Sequence, residues 1–187
     1  MGPLPRYFCV GPPADASETL NSGVASFRSV AVVTIRYEFS QRFRVPAAQA
    51  FKWLTDYTPR DHALMGHKGA RKVTRISDDT IVLDDTIYPD GKAVRKKKLI
   101  RTDHRRLAYY NVHLTGPTKN SLYTYKIVHE GEGESRLDYT GYEVFYPRKA
   151  PTEMQLAALA ADEEVSWTRE WGLLAEAMEK ELRGKRS

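Results

Sequence analysis

The chain has 187 residues and a mass of 21.3 kDa, enough for one full-sized core and too little for two. At 41% hydrophobic and 28% charged, with no apolar run of membrane-spanning length, the composition excludes whole-chain disorder and a transmembrane helix. The net charge of +5 is local: Lys92 to Arg106 holds eight basic residues against one acid, Asp103, a run of +7 that leaves −2 for the rest.

Such a run reads first as the solvated face of a strand, not as a general affinity for nucleic acid. Residues 1–30 carry Gly, Pro, Ser and Ala without periodicity (Gly11-Pro12-Pro13, Ser22-Gly23) and are expected to form a disordered tail, with 31–187 as a single domain. The first residues lack the charged start and apolar stretch of a signal peptide. Arg6 stands where a myristoylation signal wants Ser or Thr. Cys9 is the one cysteine, so neither an intramolecular disulfide nor a cysteine zinc site is expected, and the expected address is the cytoplasm.

From Val33 the pattern is clear. Val33, Ile35, Tyr37, Phe39, Phe43 and Val45 alternate with polar residues, only Gln41 breaking the apolar set, which predicts a long strand with one wet face. Pro46 then opens a short helix, Ala47 to Leu54. Asp56 to Gly69 has no period and reads as a loop or broken helix. Strands follow at about 70–77, 80–88, 92–101, 106–114, 121–130 and 135–146, separated by turn residues such as Ser77-Asp78-Asp79, Pro89-Asp90-Gly91 and Gly131-Glu132-Gly133. Links this short make consecutive antiparallel hairpins. Behind Pro151, Thr152 and Gln155 form a capping-box signature, and acidic residues precede basic ones in the dipole-favoured order along one long helix. Its apolar stripe reads Met154, Ala158, Ala161, Val165, Trp167, Trp171, Leu174, Met178, Leu182.

The architecture expected is α+β: a curved seven-stranded antiparallel sheet wrapped on a long C-terminal helix. With the strand ending Phe43-Arg-Val-Pro-Ala47, the helix Phe51-Lys-Trp-Leu-Thr-Asp-Tyr57, the strand Ser135-Arg-Leu-Asp-Tyr139 and the final helix, the chain resembles the START-like or Bet v 1-like (SRPBCC) superfamily over about residues 32 to 183. That resemblance implies a helix-grip fold and an apolar cavity between sheet and helix, of the kind that takes lipids, polyketides or hormones in lipid-transport and polyketide cyclase/dehydrase members.

Strand phase turns this into residues. A tight turn at Asp90-Gly91 pairs Ile87 with Val94, Asp85 with Lys96, Leu83 with Lys98 and Ile81 with Ile100. The apolar ends share one face, so Asp85, Lys96 and Lys98 come inward with them, or lie on a solvated extension of that face. A turn at Asp103-His104 puts Leu107, Tyr109, Asn111 and His113 inward. Alternation adds Tyr123, Tyr125 and Ile127, then Leu137, Tyr139, Gly141 and Glu143, with Trp167 and Trp171 on the helix side. A one-residue slip would present Tyr110, Val112 and Leu114 instead.

Lys96, Lys98, Tyr109, Asn111, His113, Tyr123, Tyr125, Tyr139, Trp167 and Trp171 are therefore the candidate ligand contacts: apolar walls with hydroxyls that read a ligand. The leading reading is binding of a hydrophobic or amphipathic small molecule, lipid or polyketide-like, and the two lysines, if inward, favour an acidic group on it. The alternative is a cyclase/dehydrase enzyme with His113 and Glu143 as acid–base candidates; whether the chain is an enzyme stays open, because Tyr and His on a half-buried strand serve packing more often than chemistry. A third reading is a surface module presenting Arg95, Lys97 and Arg101 to an anionic partner. Few aromatics interleave with that basic run, which argues against stacking on single-stranded nucleic acid. His62 and His67, with Asp56 and Asp61 nearby, lack the spacing of a helical ligand pair; no metal and no cofactor are expected, and the oligomeric state is left open.

Overall fold

The fold is described from a computed structural model, covering residues 31–88 and 91–184. The expected N-terminal tail lies outside the described residues. Seven strands, β1 (Val33–Phe43), β2 (Gly69–Arg75), β3 (Thr80–Ile87), β4 (Val94–Asp103), β5 (Ala108–His113), β6 (Leu122–Gly131) and β7 (Glu134–Phe145), form one antiparallel sheet in the order β1-β7-β6-β5-β4-β3-β2. Two short helices, α1 (Ala47–Leu54) and α2 (Asp61–Leu64), follow β1, and α3 (Glu153–Gly184) closes the chain. This is the expected helix-grip arrangement of a sheet around a long C-terminal helix.

Each hairpin follows from its sequence. The β3–β4 ladder joins Ile81 to Ile100, Leu83 to Lys98, Asp85 to Lys96 and Ile87 to Val94, the pairing the turn residues predict. In the β4–β5 hairpin the inward face is as expected but the ladder is shifted by four residues along β5: Ile100 meets Asn111, not Leu107, and Asp103 meets Ala108, leaving a four-residue loop. Asp103 Oδ1 accepts the backbone N–H groups of Arg105 and Arg106, and Leu107 sits at a left-handed φ of 48°. A two-residue turn has no room for that Asp-centred loop.

Buried alternation is strict where the sheet meets the helix. Ile35 and Tyr37, Tyr123, Tyr125 and Ile127, and Leu137 and Tyr139 are all buried. With Phe51, Trp53, Trp171, Leu174 and Met178 they make one core. The C-terminal half of α3 is tied down by polar bonds: Glu179 accepts the N–H of Arg44 at 2.9 Å, and Glu181 accepts the Trp53 indole N–H at 3.0 Å while pairing with Arg60 at 2.8 Å. The capping box at the start of α3 is formed, Gln155 accepting from Thr152 N at 2.9 Å and Thr152 Oγ1 from Gln155 N at 3.3 Å.

One expectation about α3 is corrected. Met154 is 83% and Val165 71% exposed, so the first half of the predicted stripe faces out. Leu156, Leu159 and Ala160 pack on the core instead, continuing backward the face set by Trp167 and Trp171. A helix repeats every 3.6 residues, and the predicted stripe joined two phases at the two-residue step from Val165 to Trp167, which crosses to about the opposite side of the helix.

Candidate functional site

The inward face of β4–β7 is built in rows. Tyr109, Tyr125 and Tyr139 follow one another across three strands, then Asn111, Tyr123 and Gly141 in the next row. Further along, His113 pairs with Lys98, and Glu143 shares the inward face at the same end. The rings pack on one another: Tyr109 stacks on Tyr125 at 4.2 Å, Tyr125 meets Tyr139 edge-on at 5.0 Å, and Phe39 stacks on Tyr139 at 4.5 Å. From α3, Trp167 lies 6.0 Å from Tyr139 and 6.2 Å from Tyr123, and Trp171 lies 5.7 Å from Tyr125. All the aromatic candidates thus belong to one continuous belt between sheet and helix. Burial raises the Tyr109, Tyr123, Tyr125 and Tyr139 hydroxyls above the usual phenol range, so they remain neutral donors.

Three buried polar atoms in this belt have no hydrogen-bond partner: Tyr57 Oη, Asn111 Oδ1 and Trp171 Nε1. Tyr57 stands edge-on to Tyr109 at 6.3 Å, Asn111 is the ladder neighbour of Tyr123, and Trp171 adjoins Tyr125. Folded proteins satisfy nearly all buried polar groups. These three unpaired atoms surround the stacked Tyr109 and Tyr125.

At the polar end the charges divide into two groups. Asp85, 1% exposed, is enclosed by Arg71 (Nε to Oδ1 2.7 Å, Nη2 to Oδ2 3.1 Å), Lys98 (2.8 Å) and His62 (3.4 Å); Arg71 also bonds Asp61. Burial alone would raise the Asp85 carboxyl, but its contacts with His62, Arg71 and Lys98 hold it well below the usual carboxylate range. In this buried network Lys98 is paired with Asp85. Lys96 is partly buried and lies in the field of Glu143 and Glu163.

The second group is acidic. Glu143 accepts a 2.9 Å hydrogen bond from the Tyr37 hydroxyl, and Glu170 lies 3.3 Å from His67 Nε2. Glu163 faces Glu143, Lys96 and Glu170, and burial pushes its carboxyl up to about 8, with Glu143 adding to the rise. Burial likewise raises Glu143. His113 moves the other way: burial first, then Lys98 and Lys96, lower it to about 2, and its Nδ1 shares a 2.7 Å hydrogen bond with Thr118 Oγ1. His113 is therefore a neutral, anchored imidazole at physiological pH. Burial thus favours the protonated form of both Glu163 and Glu143.

Sequence reasoning missed Tyr37, Tyr57, Glu163 and Glu170 as site residues. Tyr37 was visible as an inward position of β1. Glu163 and Glu170 needed the α3 phase counted back from Trp171 and Trp167, since Leu156, Leu159, Glu163, Trp167 and Glu170 fall at steps of three and four. His62 and His67 are drawn apart, one to Asp85 and the other to Glu170. Among the described residues no group of three or more His, Cys, Asp or Glu side chains is arranged to hold a metal ion. Two open grooves lie outside the belt, one beside Gly172 between β1 and α3, the other on the outer sheet face around Leu99 and Tyr110. On that outer face Arg101 lies 3.7 Å from Asp79 and Lys97 4.0 Å from Asp84, which offsets part of the basic run.

No protein-family model matches the chain, and no curated protein matches it in sequence. Solved structures do. The Zhui aromatase/cyclase from Streptomyces sp. R1128 superposes with a TM-score of 0.63 at 12% identity, over 83% of this chain and 97% of that one. A START superfamily protein from Mycobacterium smegmatis gives 0.56 at 11% identity, over 80% and 97%, and Ara h 8.0201 gives 0.52 at 15%, over 76% and 99%. The chain has the START/Bet v 1-like fold. In this fold the belt lies where sheet and grip helix face each other, and Lys96, Glu143 and Glu163 gather at one end of it. No helix among the described residues is long and apolar enough to cross a membrane.

Proposed function

We propose that the protein binds a hydrophobic or amphipathic small molecule, lipid or polyketide-like, between the sheet and α3. The observation that carries this reading is the set of orphaned polar atoms, Asn111 Oδ1, Trp171 Nε1 and Tyr57 Oη, inside a wall otherwise made of aromatic rings. A ligand with an apolar body and one or two polar atoms relieves that mismatch. Because the rings close on one another, entry goes with separation of the N-terminal half of α3 from the sheet; the polar ties noted above hold the C-terminal half. The likeness to an aromatase/cyclase and to START superfamily and Ara h 8 structures supports the general class. The lone cysteine fits a reducing compartment, and we place the protein in the cytoplasm.

A second reading, catalysis in the same place, draws on Glu163, a carboxyl that holds its proton at neutral pH beside Glu143. His113 then contributes orientation, not acid–base turnover. Native mass spectrometry of the protein purified from its own host separates these readings. Binding predicts a defined one-to-one adduct that is lost in Asn111→Leu; a bare mass, with conversion of an added poly-β-carbonyl compound, transfers the case to catalysis.

A further inference from the structure

The outer face of the sheet lacks the polar composition that an uncovered antiparallel face normally carries. Val82, Leu99, Val112, Leu122 and Tyr142 are ladder neighbours in turn, one apolar row across five strands. None of the five is buried, and Tyr142 is exposed. The adjacent row, Thr80, Arg101, Tyr110, Thr124 and Thr140, is polar but for Tyr110, so strand pairing does not demand the apolar one. All three helices reach the opposite face: α1 through Phe51 beside Tyr109, α2 through His62 beside Asp85, and α3 through Trp171 beside Tyr125. Contiguous apolar surface left in water marks an interaction site.

Where the row crosses β4 and β5 it meets the outer groove, about 670 Å³ in volume, lined by Leu99, Tyr110 and Val112 from the sheet and by Arg101, Arg105 and Arg106. Its two acids are already engaged. Asp103 Oδ1 accepts the backbone N–H groups of Arg105 and Arg106, and Asp79 Oδ1 accepts the Ser77 and Thr80 hydroxyls at 2.6 and 2.8 Å. Arg101 and Arg106 stand 3.7 Å from Asp79 and Asp103, too far for a hydrogen bond, and the Arg105 side chain has no acidic partner among the described residues. Three exposed guanidinium groups thus keep N–H donors unused beside an apolar floor, an arrangement suited to carboxylates.

We infer that this face docks an acidic segment of a partner protein, its carboxylates on Arg101, Arg105 and Arg106 and its apolar side chains along the row toward Tyr142. Strands about 4.8 Å apart give the row a length of about 19 Å, the span of about six residues of extended chain. A uniformly anionic bilayer fits less well, since Asp84, Asp138 and Glu38 lie on the same outer face and would repel it. The surface lies opposite the aromatic belt and does not depend on a ligand there.

The test is fluorescence anisotropy of the full-length protein with three labelled eight-residue peptides: EDLFLVDE, its charge-reversed form KRLFLVRK and its apolar-stripped form EDSGSGDE. Sedimentation with phosphatidylserine vesicles runs in parallel. The first peptide is expected to bind at least about ten-fold more tightly than the other two. Arg105→Glu on the exposed loop and Leu99→Gln on the half-buried floor each weaken it at least about five-fold. Lys52→Glu, the same charge change on the exposed side of α1, leaves it unchanged. Equal binding of the charge-reversed peptide, an equal loss in Lys52→Glu, no loss in Arg105→Glu and Leu99→Gln, or no binding at all overturns the inference. Vesicle binding that Arg105→Glu abolishes, with no preference among the peptides, also overturns it and assigns the face to a membrane surface.

Discussion

The Tyr37 hydroxyl donates to Glu143 Oε2 at 2.9 Å, while the Tyr37 ring lies flat over Gly141, where a Cβ would stand 2.8 Å from Cζ. Edge strand β1 and its neighbour β7 therefore meet through a tyrosine that fills the space a missing side chain leaves and anchors a buried carboxyl. Gly141→Ala should cost about 1–3 kcal/mol, because the added methyl meets a ring that backbone on both strands holds in place. Urea unfolding measures it; an unchanged midpoint would mean the ring can move aside freely.

The Asp85 network sets a second expectation. Asp85→Asn leaves Arg71 and Lys98 buried beside a neutral group, a loss on the order of 3–5 kcal/mol. Since the folded carboxyl sits well below its ordinary value, its stabilisation is present above about pH 4 and is lost as pH falls through the folded value. Thermal melts of the wild type and of Asp85→Asn should therefore converge in strong acid.

His113 acts over a different window. The unfolded chain takes up a proton below its ordinary value near 6.5, and the folded imidazole resists until about 2. Stability from this group is full above pH 6.5 and falls toward acid, by up to about 1.4 kcal/mol per pH unit for one proton. His113→Gln, which keeps a polar partner for Thr118, should flatten the limb between pH 6 and 4 in chemical denaturation. An unaltered limb would contradict the burial argument.

Glu163 gives the opposite slope. Its folded carboxyl titrates at about 8, above the ordinary 4.5, so the unfolded chain ionises first and stability declines as pH rises from 4.5 to about 8. Glu163→Gln removes that decline. The check is the melting temperature across pH 5 to 9, where the variant's curve should be the flatter one.

Much of this was legible beforehand, and the failures have local causes. Alternation in Ser135 to Tyr146 and in Tyr123 to Ile127 identifies the inward tyrosines because a strand's period of two admits only two answers. Turn residues at Gly91 set the β3–β4 pairing, and through it the inward position of Asp85 and Lys96. The loop at Asp103 was misjudged in length because a left-handed leucine, Leu107, has no compositional signature. The α3 face was misjudged in its first half because Met154 and Val165 are apolar yet exposed, while Glu163 and Glu170 are charged yet turned inward. Hydropathy cannot find a helix face that carries inward carboxyls; only counting back from the two tryptophans does. That Lys98 belongs to Asp85 also lay beyond the sequence, since the pair follows from Arg71 and His62 arriving on other elements.

The most direct test of binding between sheet and helix is a backbone NMR titration with whichever of decylammonium, decanoate and decanol binds most tightly. The account predicts shift changes on β5, β6 and β7 at Asn111, Tyr123, Tyr125 and Tyr139 and on α3 from Glu163 to Leu174. Changes confined to the outer face around Leu99, Arg101 and Tyr110 would contradict it and move the function to the basic surface.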